Sequence, residues 1–410
     1  MLELLYFLFA LLGFSYFTLK KRYFDFYSIA FFSQQVYFLP LMIQFFVGSE
    51  NMIYPIYFQV YIVAILIVIS IIVGALCLDA KGDIRRKRVV LVGVEYHAFF
   101  STLMALFAFI FCYIKIGDVL FFSEKEEILG AIDYMYVLWS TASLYGLAVS
   151  YYYNKKFLFF INLFLILLTV YIGFRSFAAI AFLTWLLMFF IKNDRKVSLL
   201  RDYLFFNFFI IIVGLMFFVY KGVYIAIKYK DYDMAWKNIT DVNYLIQVVF
   251  YNSEPFAIQR ILSDVMQYNF FIGVDNLKRI ILTFLIFGDQ TGIDTKTFNG
   301  YFQSHLYGSV GYGMGDNIWA HMYSSGGWLL LIIFIFIFSL SLFFSSSRIY
   351  KNDSSFTPLL VVLFCYWSFY LHRNDLFYQL GLEKRILMIF IFVSIVSCIL
   401  FHIKRAYLKR

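Results

Sequence analysis

Long apolar runs constrain this sequence more than any other feature. Uninterrupted runs of about 18 to 25 residues recur along the chain, as at 55–78 and 386–403. A helix of that length crosses the hydrocarbon of a bilayer, where every backbone polar group must be paired within the chain. Apolar residues make up 63% of the 410 residues and charged residues 14%, which is more apolar surface than one soluble core can bury. The sequence therefore predicts an all-α integral membrane protein.

Charged breaks divide the chain into about eleven candidate transmembrane helices. The alternate connections hold 20 of the 34 Lys and Arg residues, so the positive-inside rule places those connections in the cytoplasm and the N-terminus outside. The first candidate has no basic segment before it and ends at Lys20, which argues against a cleavable signal peptide. The candidates are 2–19, 26–47, 55–78, 89–114, 132–153, 157–172, 176–191, 203–220, 328–345, 356–371 and 386–403.

This topology predicts one large external loop, 221–315, within a single membrane domain that covers 1–410. The loop holds eight basic and eight acidic residues, so the net charge of +9 does not indicate a nucleic-acid partner. Aromatic side chains in the loop can stack on sugar rings, although such residues are also common at membrane interfaces. They are Tyr224, Tyr229, Tyr232, Trp236, Tyr244 and Tyr251.

Arg175 lies in the middle of a mostly apolar stretch, 157–191. A single helix of that length overshoots the bilayer, so the stretch is expected to turn at Gly173, Phe174 and Arg175. An arginine held at membrane depth costs several kcal/mol unless it is compensated, and an anion is one natural compensation. The N-terminal N–H groups of the second half-helix favour the same ligand. The alternative is an arginine that snorkels to the surface or pairs with an internal carboxylate.

The stretch GMGDNIWAHMYSSGG, 313–327, places a histidine just before an apolar run. Asp316 is expected to cap a short helix that breaks at the glycine pair 326–327. Asn317 and His321 then share one face of that helix. A histidine near an interface is commonly structural, but one with an ordinary pKa near 6.5 can also accept a proton at neutral pH.

A second polar cluster is predicted in the external turn from about 372 to 385. It contains His372, Arg373, Asp375 and Glu383 between two apolar runs. The simplest interpretation is a solvated loop in which Arg373 pairs with Asp375.

Several kinds of chemistry have no motif in the sequence. It lacks GxxxxGK[ST], GxGxxG after a strand, HExxH and GxSxG, so nucleotide hydrolysis, dinucleotide binding, zinc proteolysis and serine hydrolysis are not supported. The four cysteines lie inside apolar runs without CxxC spacing. We expect no metal and no cofactor.

Three stretches in order resemble the bacterial O-antigen polymerase family, Wzy, and the related O-antigen ligases. They are GFRSFAAIAF at 173–182, GMGDNIWAHMYSSGGWLLL at 313–331 and YLHRNDL at 370–376, with a large loop between the first two. The resemblance is concentrated in 157–380. It implies a multi-pass protein of the bacterial inner membrane with its active face in the periplasm.

The resemblance also implies a reaction and site residues. Arg175 and Arg373 are expected to bind the undecaprenyl diphosphate of a lipid-linked glycan, with His321 as the catalytic base. Attack by a sugar hydroxyl on the anomeric carbon needs such a base and stabilisation of the leaving diphosphate, which predicts a metal-independent, inverting glycosyltransferase. Asp316, Asn317, Tyr323 and Asp375 are expected to support the site. The partners are the lipid-linked glycan and membrane lipid, and a chain-length regulator is a further candidate.

Two alternatives stay open at this point. At the position of His321, ligases often carry a histidine and polymerases an acid, so a ligase that moves finished glycan to lipid A core is one alternative. A lipid-linked glycan transporter is the other, in which Arg175 lines a path. A transporter is expected to contain repeats and several deep charges, and the sequence has one deep arginine and no repeat.

Overall fold

The computed structural model is helical throughout the residues that it describes, with no strand among them. This agrees with the predicted all-α class. The described residues are 1–20, 22, 25–52, 54–81, 91–122, 125–131, 133–193, 226, 229–241, 244, 253–286, 297–308, 315–349 and 354–407. The predicted span 203–220 lies outside them.

The chain divides into two compact units. Unit 1 comprises Met1–Gly82, Val197–Ser346 and Trp367–Gly381, and unit 2 comprises Asp83–Lys196, Ser347–Tyr366 and Leu382–Arg410. The prediction of one membrane domain over 1–410 remains a prediction.

Unit 1 contains four helices from the first part of the chain and most of the later ones. They are α1 (Leu2–Leu19), α2 (Phe26–Tyr37), α3 (Leu39–Val47) and α4 (Phe58–Ala80). Unit 2 contains α5 (His97–Ile116), α6 (Val119–Phe122), α7 (Lys125–Ala131), α8 (Tyr134–Tyr152), α9 (Lys156–Tyr171) and α10 (Ser176–Asn193). Later helices are α11 (Tyr232–Thr240), α12 (Glu254–Gln267), α13 (Val274–Ile286), α14 (Phe298–Phe302), α15 (Ile318–Ile349), α16 (Thr357–Cys365) and α17 (Leu376–Tyr407).

Five helices are long and apolar enough to cross a membrane: α1, α4, α5 with the turn before it, α15 and α17. A sixth span results if α2 and α3 are counted together, but they meet at an angle of 48°. The sequence predicted one helix over 26–47. Pro40 lies in the first turn of α3, where its missing N–H and its ring prevent a continuous helix from α2. The described residues therefore support a membrane protein with five or six spans, and the predicted eleven remain a prediction.

The predicted turn at Arg175 is confirmed. Helix α9 ends at Tyr171, α10 begins at Ser176 and Gly173 between them has φ +109°. The carbonyl of Arg175 accepts the N–H of Ala179 at 3.1 Å, so Arg175 is the residue that precedes the first turn of α10. The two helices have 16 and 18 residues, or about 24 and 27 Å.

The predicted break at the glycine pair 326–327, before the apolar run 328–345, is also confirmed. Inside α15, Gly326 (φ −160°) and Gly327 (φ +63°, ψ −157°) leave the helical conformation, and the backbone of Gly327 lies in a region that L side chains rarely adopt. The break separates a short helix, 318–325, from a span, 328–349, whose length of about 33 Å matches the hydrocarbon of a bilayer.

Helix α12 holds the short helix of α15 in place within unit 1. Nδ2 of Asn317 donates to the carbonyl of Ile258 in α12 at 3.0 Å. Elsewhere on α12, Nε2 of Gln259 donates to the carbonyl of Tyr37 at 2.9 Å, and the hydroxyl of Ser263 accepts the N–H of Tyr57 at 2.9 Å. Hydrogen bonds from the backbone and side chains of α12 thus link the start of α15 to the end of α2 and the start of α4.

Candidate functional site

Two of the motifs that carry the resemblance meet in unit 1. Nδ1 of His321 accepts the backbone N–H of Leu376 at 3.2 Å. Nε1 of Trp319 donates to Nδ1 of His372 at 3.0 Å. These contacts join the start of α15 to the segment before α17, although about 50 residues separate the motifs. The sequence predicted both as polar clusters and did not predict how they interlock.

His321 is fully buried, with 0% of its surface exposed. Its ring stacks on Phe298 with centroids 5.0 Å apart and planes 9° apart. Since Nδ1 accepts a backbone N–H, the neutral ring carries its proton on Nε2. The side-chain amide of Asn276 lies 3.2 Å from Nε2, and its otherwise unpartnered oxygen matches that N–H once the amide is turned over. Both ring nitrogens therefore have partners, which favours a structural role.

The cap of the short helix is Asn317. Its Oδ1 accepts the N–H groups of Trp319 and Ala320 at 2.9 and 3.0 Å, the arrangement of an N-cap side chain. The predicted capping role of Asp316 is wrong by one residue, because the helix begins at Ile318. Asp316 is thereby left without that role.

Asp375 is a buried carboxylate with two backbone partners. Its Oδ2 accepts the N–H of Phe298 at 2.8 Å and its Oδ1 that of Tyr378 at 2.7 Å. The second bond caps the first turn of α17. Burial raises the pKa of Asp375, and its oxygens are committed to holding α14 and α17.

Asp316 is the more unusual carboxyl. Its Oδ1 is buried and has no hydrogen-bond partner in the part of the chain that the structure describes. Burial, and then the nearby Asp375, raise the pKa of Asp316 well above its ordinary value, while a backbone hydrogen bond from Asn299 and the charge of Arg373 oppose the shift. A carboxyl poised in this way exchanges protons at a higher pH than an exposed one, as catalytic acids and bases do.

Arg373 pairs with Glu254. Nε of Arg373 lies 2.6 Å from Oε1 of Glu254, and the two side chains are 35% and 31% exposed. Nη1 of Arg373 also donates to the hydroxyl of Tyr370. The expected pairing of Arg373 with Asp375 is therefore replaced by a partner on α12, and no spacing in the sequence points to Glu254.

Neighbouring polar groups complete the cluster. Burial lowers the pKa of His372 to about 3, so this ring is a neutral acceptor for Trp319. Tyr323 is 4% exposed and stacks on Phe271 with centroids 5.7 Å apart, which places it on the side of the short helix that faces 269–273.

Arg175 belongs to unit 2 and is partly buried, so its predicted role beside Arg373 remains a prediction.

Within the described ranges, no group of three or more His, Cys, Asp or Glu side chains is arranged to hold a metal ion. No family model, curated protein or solved structure matches the chain.

Proposed function

We propose that the protein is an O-antigen polymerase that joins undecaprenyl-diphosphate-linked oligosaccharide repeat units at the periplasmic face of a bacterial inner membrane. The observation that carries the proposal is the contact between the two motifs that resemble the polymerase family. His321, in the motif 313–331, accepts the N–H of Leu376, the last residue of the motif 370–376. Buried carboxyls and an arginine gather around this contact, which are the groups that glycosyl transfer from a diphosphate requires.

The acceptor hydroxyl must lose a proton as it attacks the anomeric carbon. His321 was the expected base, but its Nδ1 is occupied by the Leu376 N–H. Asp316 has the unpartnered oxygen and a raised pKa, which make its ionised form a stronger base than an ordinary carboxylate. We therefore assign proton transfer to Asp316, and His321 becomes a positioning residue for the same cluster.

The leaving diphosphate needs cationic donors. A guanidinium has five N–H groups in a planar fork that suits phosphate. In Arg373, Nε and Nη1 are engaged by Glu254 and Tyr370, and the remaining N–H groups can bind a phosphate oxygen. The resemblance implies Arg175, in unit 2, as a second donor, and this role stays a prediction. Its position at the start of α10 adds the partial positive charge of a helix N-terminus.

Deleting the gene in its host and separating the lipopolysaccharide on a gel tests the proposal. Loss of a polymerase leaves core with a single repeat unit, and the wild-type gene on a plasmid restores the ladder. Bare core with finished glycan stranded on carrier lipid would assign a ligase instead. Single units stranded on the cytoplasmic face would assign a transporter, and an unchanged ladder would overturn all three.

A further inference from the structure

A separate pocket of about 260 Å³ opens in unit 1 beside the second half of α12. Its walls include Tyr54, Arg260, Asp264, Gln267, Tyr268 and Tyr307. No sequence pattern predicts this pocket, because its described wall residues come from three distant segments. The volume is just below the range of about 300 to 1,000 Å³ that drug-sized ligands occupy, so it suits one small ring.

The pocket is polar but electrically balanced. The guanidinium of Arg260 lies 3.9 Å from the ring centroid of Tyr54 and 5.1 Å from that of Tyr307. Its Nε is 3.5 Å from Oδ2 of Asp264. The hydroxyl of Tyr307 donates to the same carboxylate, and burial raises the pKa of Tyr307, so the hydroxyl keeps its proton.

This balance selects the class of ligand. Among the described residues of the wall, Arg260 and Asp264 are the charged ones, and their charges cancel, so a phosphate or a free carboxylate gains little there. A neutral ligand with many hydroxyls can accept from Arg260 and donate to Asp264, while Gln267 does both. Tyr268 is 65% exposed and Tyr54 is 49% exposed, and an open face of a tyrosine ring suits the apolar side of a pyranose.

We propose that this pocket binds a single sugar ring of the glycan chain, apart from the site of transfer. The choice of ligand rests on the proposed function. The pocket and the candidate site share a helix, since Glu254, the partner of Arg373, is in the first turn of α12. Asp264 follows ten residues later, which corresponds to about 15 Å along the axis. A glycan whose reacting end lies at Arg373 has a later sugar at the pocket.

Direct binding to the purified full-length protein tests this proposal without turnover. The probe is the lipid-free oligosaccharide of one to three repeat units, released by mild acid from the surface polysaccharide of the host and titrated by calorimetry. We expect the wild-type protein to bind it and Tyr268→Ala to weaken binding by about fivefold or more. Tyr268→Phe keeps the ring and is expected to bind nearly as well as wild type.

Tyr134→Ala is the control. Tyr134 is 75% exposed, is absent from the pocket wall and lies outside the loop 221–315, so its loss is expected to leave binding unchanged. No binding by folded wild-type protein, or equal weakening by Tyr268→Ala and Tyr134→Ala, would overturn the pocket assignment.

The two proposals fail separately. A deletion strain that accumulates core with one repeat unit, together with a protein that does not bind the oligosaccharide, removes the pocket and keeps the polymerase. An unchanged ladder in the deletion strain removes the polymerase, whereas binding that depends on Tyr268 still establishes a sugar site.

Discussion

The indole Nε1–H of Trp319 donates to Nδ1 of His372 across 3.0 Å. Both side chains are fully buried, and their centroids lie 5.6 Å apart. This bond fixes the start of α15 against the segment that carries Arg373, so the positions of the candidate site residues depend on it.

Trp319→Phe is expected to destabilise the protein by about 1–3 kcal/mol, because the buried Nδ1 of His372 loses its donor. Thermal unfolding of the detergent-solubilised protein measures the change. Trp236→Phe is the control, since Trp236 is 69% exposed and the same substitution there should have little effect. Equal shifts in the two variants would show that the Trp319 bond contributes nothing specific.

Asp316→Asn is expected to abolish polymerisation while the protein remains folded. Removal of a general base lowers the rate by about 10²–10⁴-fold, which leaves core with one repeat unit on the gel. A ladder of normal length from Asp316→Asn would exclude Asp316 as the base.

The pH dependence of stability gives an independent readout of Asp316. Its raised pKa means that the folded protein favours the neutral carboxyl, so the stabilising contribution is complete at low pH and is lost as pH rises through the raised pKa. Asn does not ionise, so Asp316→Asn removes this pH-dependent loss of stability. The variant is therefore expected to gain stability over wild type as pH rises, and a constant difference across the pH range would contradict the shift.

His321→Asn separates a base from a positioning residue. The Asn amide oxygen can replace Nδ1 as the acceptor for the Leu376 N–H, so we expect the variant to fold and to retain a ladder. His321→Ala leaves the Leu376 N–H without an acceptor and opens a cavity beside Phe298. This variant is expected to lose about 2–4 kcal/mol of stability. If His321→Asn folds like wild type and yields only one repeat unit, His321 is the base after all.

Gly327→Ala tests the bend in α15. A Cβ at this position meets no atom within 4 Å, so the expected loss of about 1–3 kcal/mol comes from backbone conformation alone. Gly381→Ala is the matched control, because its Cβ also has open space and its helical backbone favours Ala by about 0.5–1 kcal/mol. Thermal unfolding should shift in opposite directions for the two variants.

The sequence was informative where a local cause decides the structure. The turn at Gly173 and the break at Gly327 followed from chain length and from glycine, and both are confirmed. The apolar run 26–47 predicts one continuous helix, which is wrong, because Pro40 in the first turn of α3 bends it. The predicted N-cap was Asp316, and the observed one is Asn317. A difference of one residue in where the helix begins decides which side chain reaches the N–H groups of its first turn.

No sequence pattern predicted which distant residues contact each other. Glu254 pairs with Arg373 and Asp375 accepts the N–H of Phe298, and each contact joins segments that no spacing relates. The pocket around Arg260 has the same origin, because its walls come together only after α12 has packed on the first helices. The sequence therefore predicted local turns and breaks, but not which distant residues pair.

The pair formed by Arg373 and Glu254 has a consequence for selectivity in a bilayer. Phospholipid headgroups with one phosphate are present in great excess, and a bare guanidinium would be saturated by them. Because Oε1 of Glu254 lies 2.6 Å from Nε of Arg373, the pair carries no net charge, and a singly charged headgroup gains less from the remaining N–H groups than it would from a bare guanidinium. Under the proposed function, a diphosphate carries more negative charge than such a headgroup and is therefore expected to bind Arg373 in preference to it.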